Sequence, residues 1–296
     1  MFDLKLYLEQ KCRMVNHALD NVFDSSFGSP RIVQAMRFSL LSGGKRIRPV
    51  LCLAAADAVG KTGSSVMAAA CALEMIHTYS LIHDDLPAMD DDTLRRGNPT
   101  CHVAFDEATA VLAGDALLTL AFQTLSTIHP SSEIESDKLL DVIHFISKAA
   151  GYQGMVHGQM LDVDTEGSRL ELNELQAMHR LKTGALIEAS VYAGAVLGGG
   201  DADQSRCLSE YARCIGLAFQ VADDILNVEG DPVIMGKAVG TDANRLKNTY
   251  PALMGLEGSR SFARNLIQDA LKAIEYFDNK TEPLRAIARY IVERKR

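Results

Sequence analysis

Paired cysteines, a surplus of positive charge, alternating apolar runs and internal repeats are all missing from this sequence, and each absence argues against a class of protein. Six cysteines (Cys12, Cys52, Cys71, Cys101, Cys207 and Cys214) are scattered through 296 residues with no CxxC pair and no zinc-ligand spacing. That pattern argues against a disulfide scaffold or zinc module and points to free thiols in a reducing compartment, read here as the cytoplasm. Acidic residues outnumber basic ones 38 to 30, for a formal net charge of −8. Affinity for a nucleic-acid backbone draws on a Lys and Arg surplus, so a general nucleic-acid binder is disfavoured. The N-terminal MFDLKLYLEQ has no basic segment leading into an apolar core. No apolar run is expected to reach the roughly 20 residues that a membrane span needs.

Helix punctuation is what the chain does have. Ser29 and Pro30 open a helix in which Ile32, Ala35, Met36 and Leu40 recur at helical spacing until Gly43 and Gly44 stop it. Pro49 begins VLCLAAADAV, apolar nearly all round and so expected to lie inside a bundle, with Gly60 at its end. A third helix is predicted from Ser64 to the aspartates that precede Pro87. Further helices are predicted over about 104–128, 135–163, 174–197, 203–228, 251–256, 259–277 and 283–295. With 47% hydrophobic residues and no visible boundary, the expectation is one all-α domain over residues 1–296, a bundle of about ten or more helices.

Two polar clusters interrupt this pattern. In HDDLPAMDDDTLRRG, from His83 to Gly97, Asp84, Asp85, Asp90, Asp91 and Asp92 crowd together and Arg95 and Arg96 follow. Two carboxylates about 4 Å apart repel by roughly 4 kcal/mol at an effective dielectric near 20, so a cation is needed beside them. Oxygen-only donors favour a hard ion, and Mg²⁺ is usually held by one or two carboxylates together with substrate phosphates. The arginines are planar forks suited to phosphate oxygens. A solvated acidic turn is the plain alternative; an EF-hand is not, because its Gly and Glu positions are unmatched. The second cluster places Gln220, Asp223, Asp224 and Asn227 at i, i+3, i+4 and i+7, on one face of an otherwise apolar helix. Buried carboxylates need a partner. Two such helices facing each other across a cavity would share a cation cluster.

Read together with GGKRIRP at Gly43–Pro49, His77, GQ at Gly158 and Gln159, KTG at Lys182–Gly184, GK at Gly236 and Lys237, and KNTYP at Lys247–Pro251, these clusters resemble the short-chain trans-prenyl diphosphate synthases, most nearly the bacterial farnesyl group. The resemblance implies an all-helical bundle around a central cavity and a Mg²⁺-dependent condensation of isopentenyl diphosphate with dimethylallyl and geranyl diphosphate. Farnesyl diphosphate is then the expected product, with geranylgeranyl diphosphate as the alternative. It further implies that Asp84, Asp85, Asp90 and Asp223 bind a cluster of three Mg²⁺ ions, and that Lys182, Arg95 and Lys237 bind the allylic diphosphate. Thr183 and Gln220 would lie beside the reacting carbon, with Lys247 near the lid. Lys45, Arg48, His77 and Arg96 would bind isopentenyl diphosphate. The departed diphosphate is the implied base, and a homodimer is the implied assembly.

The family's second aspartate motif ends in Asp, whereas this chain has Asn227, whose amide can still hydrogen-bond a metal-bound water. Tyr79 and Ser80, one turn before Asp84, are expected to form the floor of the cavity, with the bulk of Tyr79 stopping growth near fifteen carbons. A terpene cyclase would have no use for GGKRIRP and RRG. A non-catalytic subunit of a heteromeric synthase would be expected to have lost the first aspartates or the basic residues, and here only Asn227 departs.

Overall fold

The computed structural model describes residues 2–23, 25–60, 62–129, 134–229 and 248–294. It is all-α, as expected, with more than ten α-helices among the described residues. A helix not anticipated from the sequence, α1 (Leu4–Asp20), is capped by the Asp3 carboxylate, which accepts from the Leu6 N–H at 3.0 Å. Then follow α2 (Arg31–Leu40), α3 (Ile47–Val59) and α4 (Ser64–Asp84). Both α3 and α4 are buried on nearly every side, which is why their sequences show no polar face.

A two-residue hairpin, β1 (Leu94–Arg95) and β2 (Asn98–Pro99), turns through Arg96 at φ +54° and Gly97 at φ +79°. Positive φ at both central positions is the signature of the tight turn whose twist matches paired strands. After it come α5 (Cys101–Ala104), α6 (Glu107–Ser126), α7 (Ser136–Ala150), α8 (Met155–Asp164) and α9 (Leu172–His179). A π-helical turn, Arg180–Gly184, joins α9 to α10 (Ala185–Leu197), and α11 (Ala202–Glu229), α12 (Tyr250–Ala273) and α13 (Glu282–Glu293) complete the bundle.

Several boundaries differ from expectation. The helix predicted over 135–163 is two, because α7 stops at Gly151 and α8 restarts after Gly154. The break predicted between 251–256 and 259–277 is present, because Gly255, at φ +72° and ψ 166°, interrupts α12 with non-helical backbone; the second part ends at Ala273 rather than 277. The view that no apolar stretch reaches span length also needs correction, since α4 and α6 are both long and apolar enough by composition. For α4 the reason is burial: two-thirds of its apolar window lies inside the bundle, among α2, α3, α6 and α10. All six cysteines are free thiols.

Candidate active site

The acidic cluster hangs from the C-terminal end of α4. Asp84 is the last helical residue, and the chain then folds back on itself: the Asp90 N–H donates to the Asp84 carbonyl at 2.9 Å and the Asp91 N–H to that of Leu86 at 3.1 Å. This return keeps Asp90 beside Asp84. Burial pushes the Asp84 carboxyl up to about 6; Lys182 and Arg95 oppose the shift, whereas Asp90 and Asp85 reinforce it. Asp84 is thus close enough to Lys182, on the π-turn, to feel its charge. Asp85 is turned inward, only 3% exposed, and is held by Arg95 at 2.5 Å. Arg95 also reaches Asp92 at 3.4 Å, so its fork braces the acidic loop.

The basic motif lies at the start of α3. Arg46 takes a left-handed conformation, φ +49°, and is buried against Glu74 at 2.6 Å, Asn16 Oδ1 at 2.9 Å and the Leu40 carbonyl at 2.7 Å. Its neighbour Arg48 keeps a buried Nε–H with no hydrogen-bond partner. Burial lowers the Arg48 pKa to about 10, and Arg96 adds to the lowering, while Glu74 and Asp223 oppose it. Arg96 reaches across from the hairpin to donate to the Gly43 carbonyl. Burial, then the fields of Arg48, Arg96, Arg95 and Arg46, hold His77 well below the usual histidine range, leaving a neutral ring in a cationic pocket. Lys45 is exposed beside them, its carbonyl accepting from the Cys12 thiol at 3.4 Å. GGKRIR, His77 and RRG, separate in sequence, therefore converge above the buried carboxylate of Glu74.

Lys182 and Thr183 occupy the π-turn, a distortion often found at functional sites. Lys182 pairs with Asp162 of α8 at 2.5 Å, and the Thr183 hydroxyl donates to Gln220 Oε1 at 3.0 Å. The turn also packs directly against α8: a Cβ at Gly158 would lie 2.2 Å from the Lys182 backbone nitrogen.

The stripe on α11 does not act as one face. Asp223 presents a partly exposed carboxylate paired with Arg294 at 2.6 Å, and the Arg294 guanidinium stacks on Phe219 at 4.1 Å. Asp224 is buried and accepts from the Tyr250 N–H at 2.9 Å, and Asn227 is buried at 7% exposure. Deeper in α4, Tyr79 is buried edge-on against the His83 ring at 5.7 Å, and Ser80 donates to the His77 carbonyl at 2.9 Å. Lys237 and Lys247 lie outside the described residues.

A model of the polyprenyl synthetase family matches residues 29–287. The chain belongs to the polyprenyl synthetase family. It is a prenyltransferase of the trans-prenyl diphosphate synthase type. It is 48% identical to the Arabidopsis thaliana heterodimeric geranylgeranyl pyrophosphate synthase large subunit 1, over 99% of this chain and 80% of that one. It is 45% identical to the farnesyl diphosphate synthase of Haemophilus influenzae, over 97% of both chains. The apo crystal structure of an FPP/GFPP synthase from Zymomonas mobilis superposes with a TM-score of 0.86 at 39% identity, over 97% of this chain and 98% of that one. These relatives divide between product classes, so the particular likeness to bacterial farnesyl synthases is not singled out.

Three residues of this synthase's candidate site escaped the sequence reading. Asp162 is the partner of Lys182, Glu74 underlies the basic pocket, and Arg294 covers Asp223. Glu74 had a usable signal, a lone acid three residues before His77 on an apolar helix. Arg294 had none, because it meets Asp223 only through the packing of α11 and α13.

The residues fit Mg²⁺. Among the described residues no three acidic, His or Cys side chains converge into a ready-made cage. Mg²⁺ does not need one, since it usually completes its shell with water and substrate phosphate. The adjacent Asp84 and Asp90, oxygen donors only, match that requirement.

Proposed function

We propose that this synthase condenses isopentenyl diphosphate with dimethylallyl and then geranyl diphosphate, with Mg²⁺ as cofactor and farnesyl diphosphate as product. What carries the reading is the presence of two differently charged diphosphate cradles. Asp84, with Asp90 beside it, lies in the field of Lys182, whereas Arg48 and Arg96 lie in the field of the buried Glu74 and both act on His77. An acidic cradle binds a polyanion only through cations, and a basic one binds it directly. When bound, Mg²⁺ withdraws charge from the leaving diphosphate and so favours ionisation to an allylic cation.

The protein's own groups do the rest. Lys182, held by Asp162, supplies a fixed positive charge to the allylic diphosphate. Thr183 and Gln220, joined to each other, present oxygen dipoles toward the developing cation. The neutral His77 ring donates a hydrogen bond to isopentenyl diphosphate, while Arg48 directs its unpartnered Nε–H to the same group. Lys45 and Arg96 complete that cradle, and Lys237 and Lys247 act from the segment before α12. Asp223 serves the metal once Arg294 yields it.

Chain length rests on Tyr79, which His83 braces; His83 in turn lies 3.0 Å from the Val111 carbonyl of α6. The second reading, a twenty-carbon product, is favoured by Ser80, the small residue directly below Asp84 on the same helical face. Incubation with both five-carbon diphosphates and Mg²⁺, with and without chelator, followed by identification of the alcohols after phosphatase, separates the readings. Fifteen carbons, lost on chelation, supports the first and twenty the second, and Tyr79→Ala is expected to lengthen the product. No product at any Mg²⁺ concentration would sink both. Two copies are proposed to pair through α6 and α7, which expose Val111, Leu112 and Leu140.

A further inference from the structure

Lys182 and Thr183 stand on a π-turn, whose register inserts a residue that the helix alone does not hold in place. Something outside the turn must fix it. Its entry is His179, buried at the end of α9, and its facing helix is α11, reached through the bond from Thr183 to Gln220. One residue touches both supports. Tyr250, with 0% of its surface exposed, donates its backbone N–H to Asp224 Oδ2 at 2.9 Å, one turn beyond Gln220. Its hydroxyl lies 3.4 Å from His179 Nδ1, and the two rings are 5.5 Å apart.

The residues before it are latched as firmly. Asn248 accepts from the Leu170 N–H at 2.9 Å and donates to the Ser168 carbonyl at 2.8 Å, just ahead of α9. Thr249 caps α12 by accepting from the Ala252 N–H at 3.4 Å.

We propose that Tyr250 is a positioning residue for the allylic half of the site: by joining Asp224 to His179 it sets where Lys182 and Thr183 stand relative to Gln220. Asp224 is accordingly the anchor of α12. The inference rests on the reading of Lys182 as a ligand of the allylic diphosphate and of Thr183 as a residue beside the reacting carbon. It assigns a function to the asparagine, threonine and tyrosine of KNTYP apart from the preceding lysine.

The test uses the full-length chain with Tyr250→Phe, which keeps the ring and removes only the hydroxyl. Expected are a loss of about five-fold in kcat, the worth of one hydrogen bond, a raised KM for the allylic diphosphate, an isopentenyl diphosphate KM within two-fold, and a melting temperature lower by only a few degrees. His179→Gln should reproduce this selective loss, and the double variant should be no worse than the poorer single one, as expected for a shared interaction. If Tyr250→Phe does not fold, His179→Gln alone carries the test by the same split. Wild-type constants in either variant, additive losses in the double variant, or equal changes in both KM values would overturn the proposal. Lys182→Ala separates the two layers: an unchanged allylic KM there refutes the reading of Lys182, while the coupling of Tyr250 to His179 is still read in kcat.

Discussion

Substituting Gly44 by Ala probes the link between the GGK turn and the RRG hairpin. Gly44 has φ +120°, and a Cβ there would lie 2.3 Å from Arg96 Nη1 and 2.4 Å from Cζ. A non-glycine residue in such a conformation costs about 1–3 kcal/mol, so the melting temperature should fall by a few degrees. The clash falls on the end of a flexible side chain, so Arg96 should swing away and lose its bond to the Gly43 carbonyl. If Arg96 binds isopentenyl diphosphate, its charge-assisted hydrogen bond is worth about 1.5–3 kcal/mol. At 1.4 kcal/mol per factor of ten, that is roughly a 10- to 100-fold rise in the KM for isopentenyl diphosphate. The allylic KM should stay within two-fold, since Asp84 and Lys182 are carried by other elements. Steady-state kinetics varying each substrate in turn provides the assay, with Arg96→Ala and the double variant as controls. An equal rise in both KM values, or a double variant much worse than Arg96→Ala, would refute the reasoning.

Arg294→Ala should uncover Asp223 and lower the Mg²⁺ concentration for half-maximal activity by a few-fold, the scale of a partly exposed ion pair of about 1 kcal/mol; an unchanged Mg²⁺ titration would count against competition between Arg294 and the metal. Asn227→Asp restores the family's charge, but at a position only 7% exposed, so it should lower the denaturation midpoint and leave the Mg²⁺ requirement within about three-fold. A markedly tighter Mg²⁺ response without loss of stability would make Asn227 part of the metal site proper. Glu74→Ala strands a buried Arg46 and should cost about 3–5 kcal/mol in urea unfolding, whereas a cost under 1 kcal/mol would mean that water reaches the pair.

The all-helical class and the ends of α4 and α11 were legible because they depend on local signals: apolar residues at helical period, prolines and glycines at the stops, and aspartates collected where α4 ends. The grouping of GGKRIRP, His77 and RRG came from resemblance, and the structure adds a physical reason for the two basic motifs, a buried Glu74 that pairs with Arg46 and whose charge reaches Arg48 and Arg96. What the sequence could not decide was how adjacent carboxylates divide their work. Spacing put Asp223 and Asp224 on one face, yet neighbours on a helix differ by about 100°, and that angle is enough to send one carboxylate toward the site and the other inward. Which goes where depends on what packs against α11, and that is α12 and α13, whose contacts come from Tyr250 and Arg294 at sequence separations of 26 and 71 residues. The π-turn was hidden for the same reason. Its residues, RLKTG, fit the helical pattern around them, and only their packing against Gly158 on one side and Gln220 on the other marks them out. A carboxylate pair on an apolar helix is therefore better read as one ligand and one anchor than as two ligands, unless two separate elements are known to approach it.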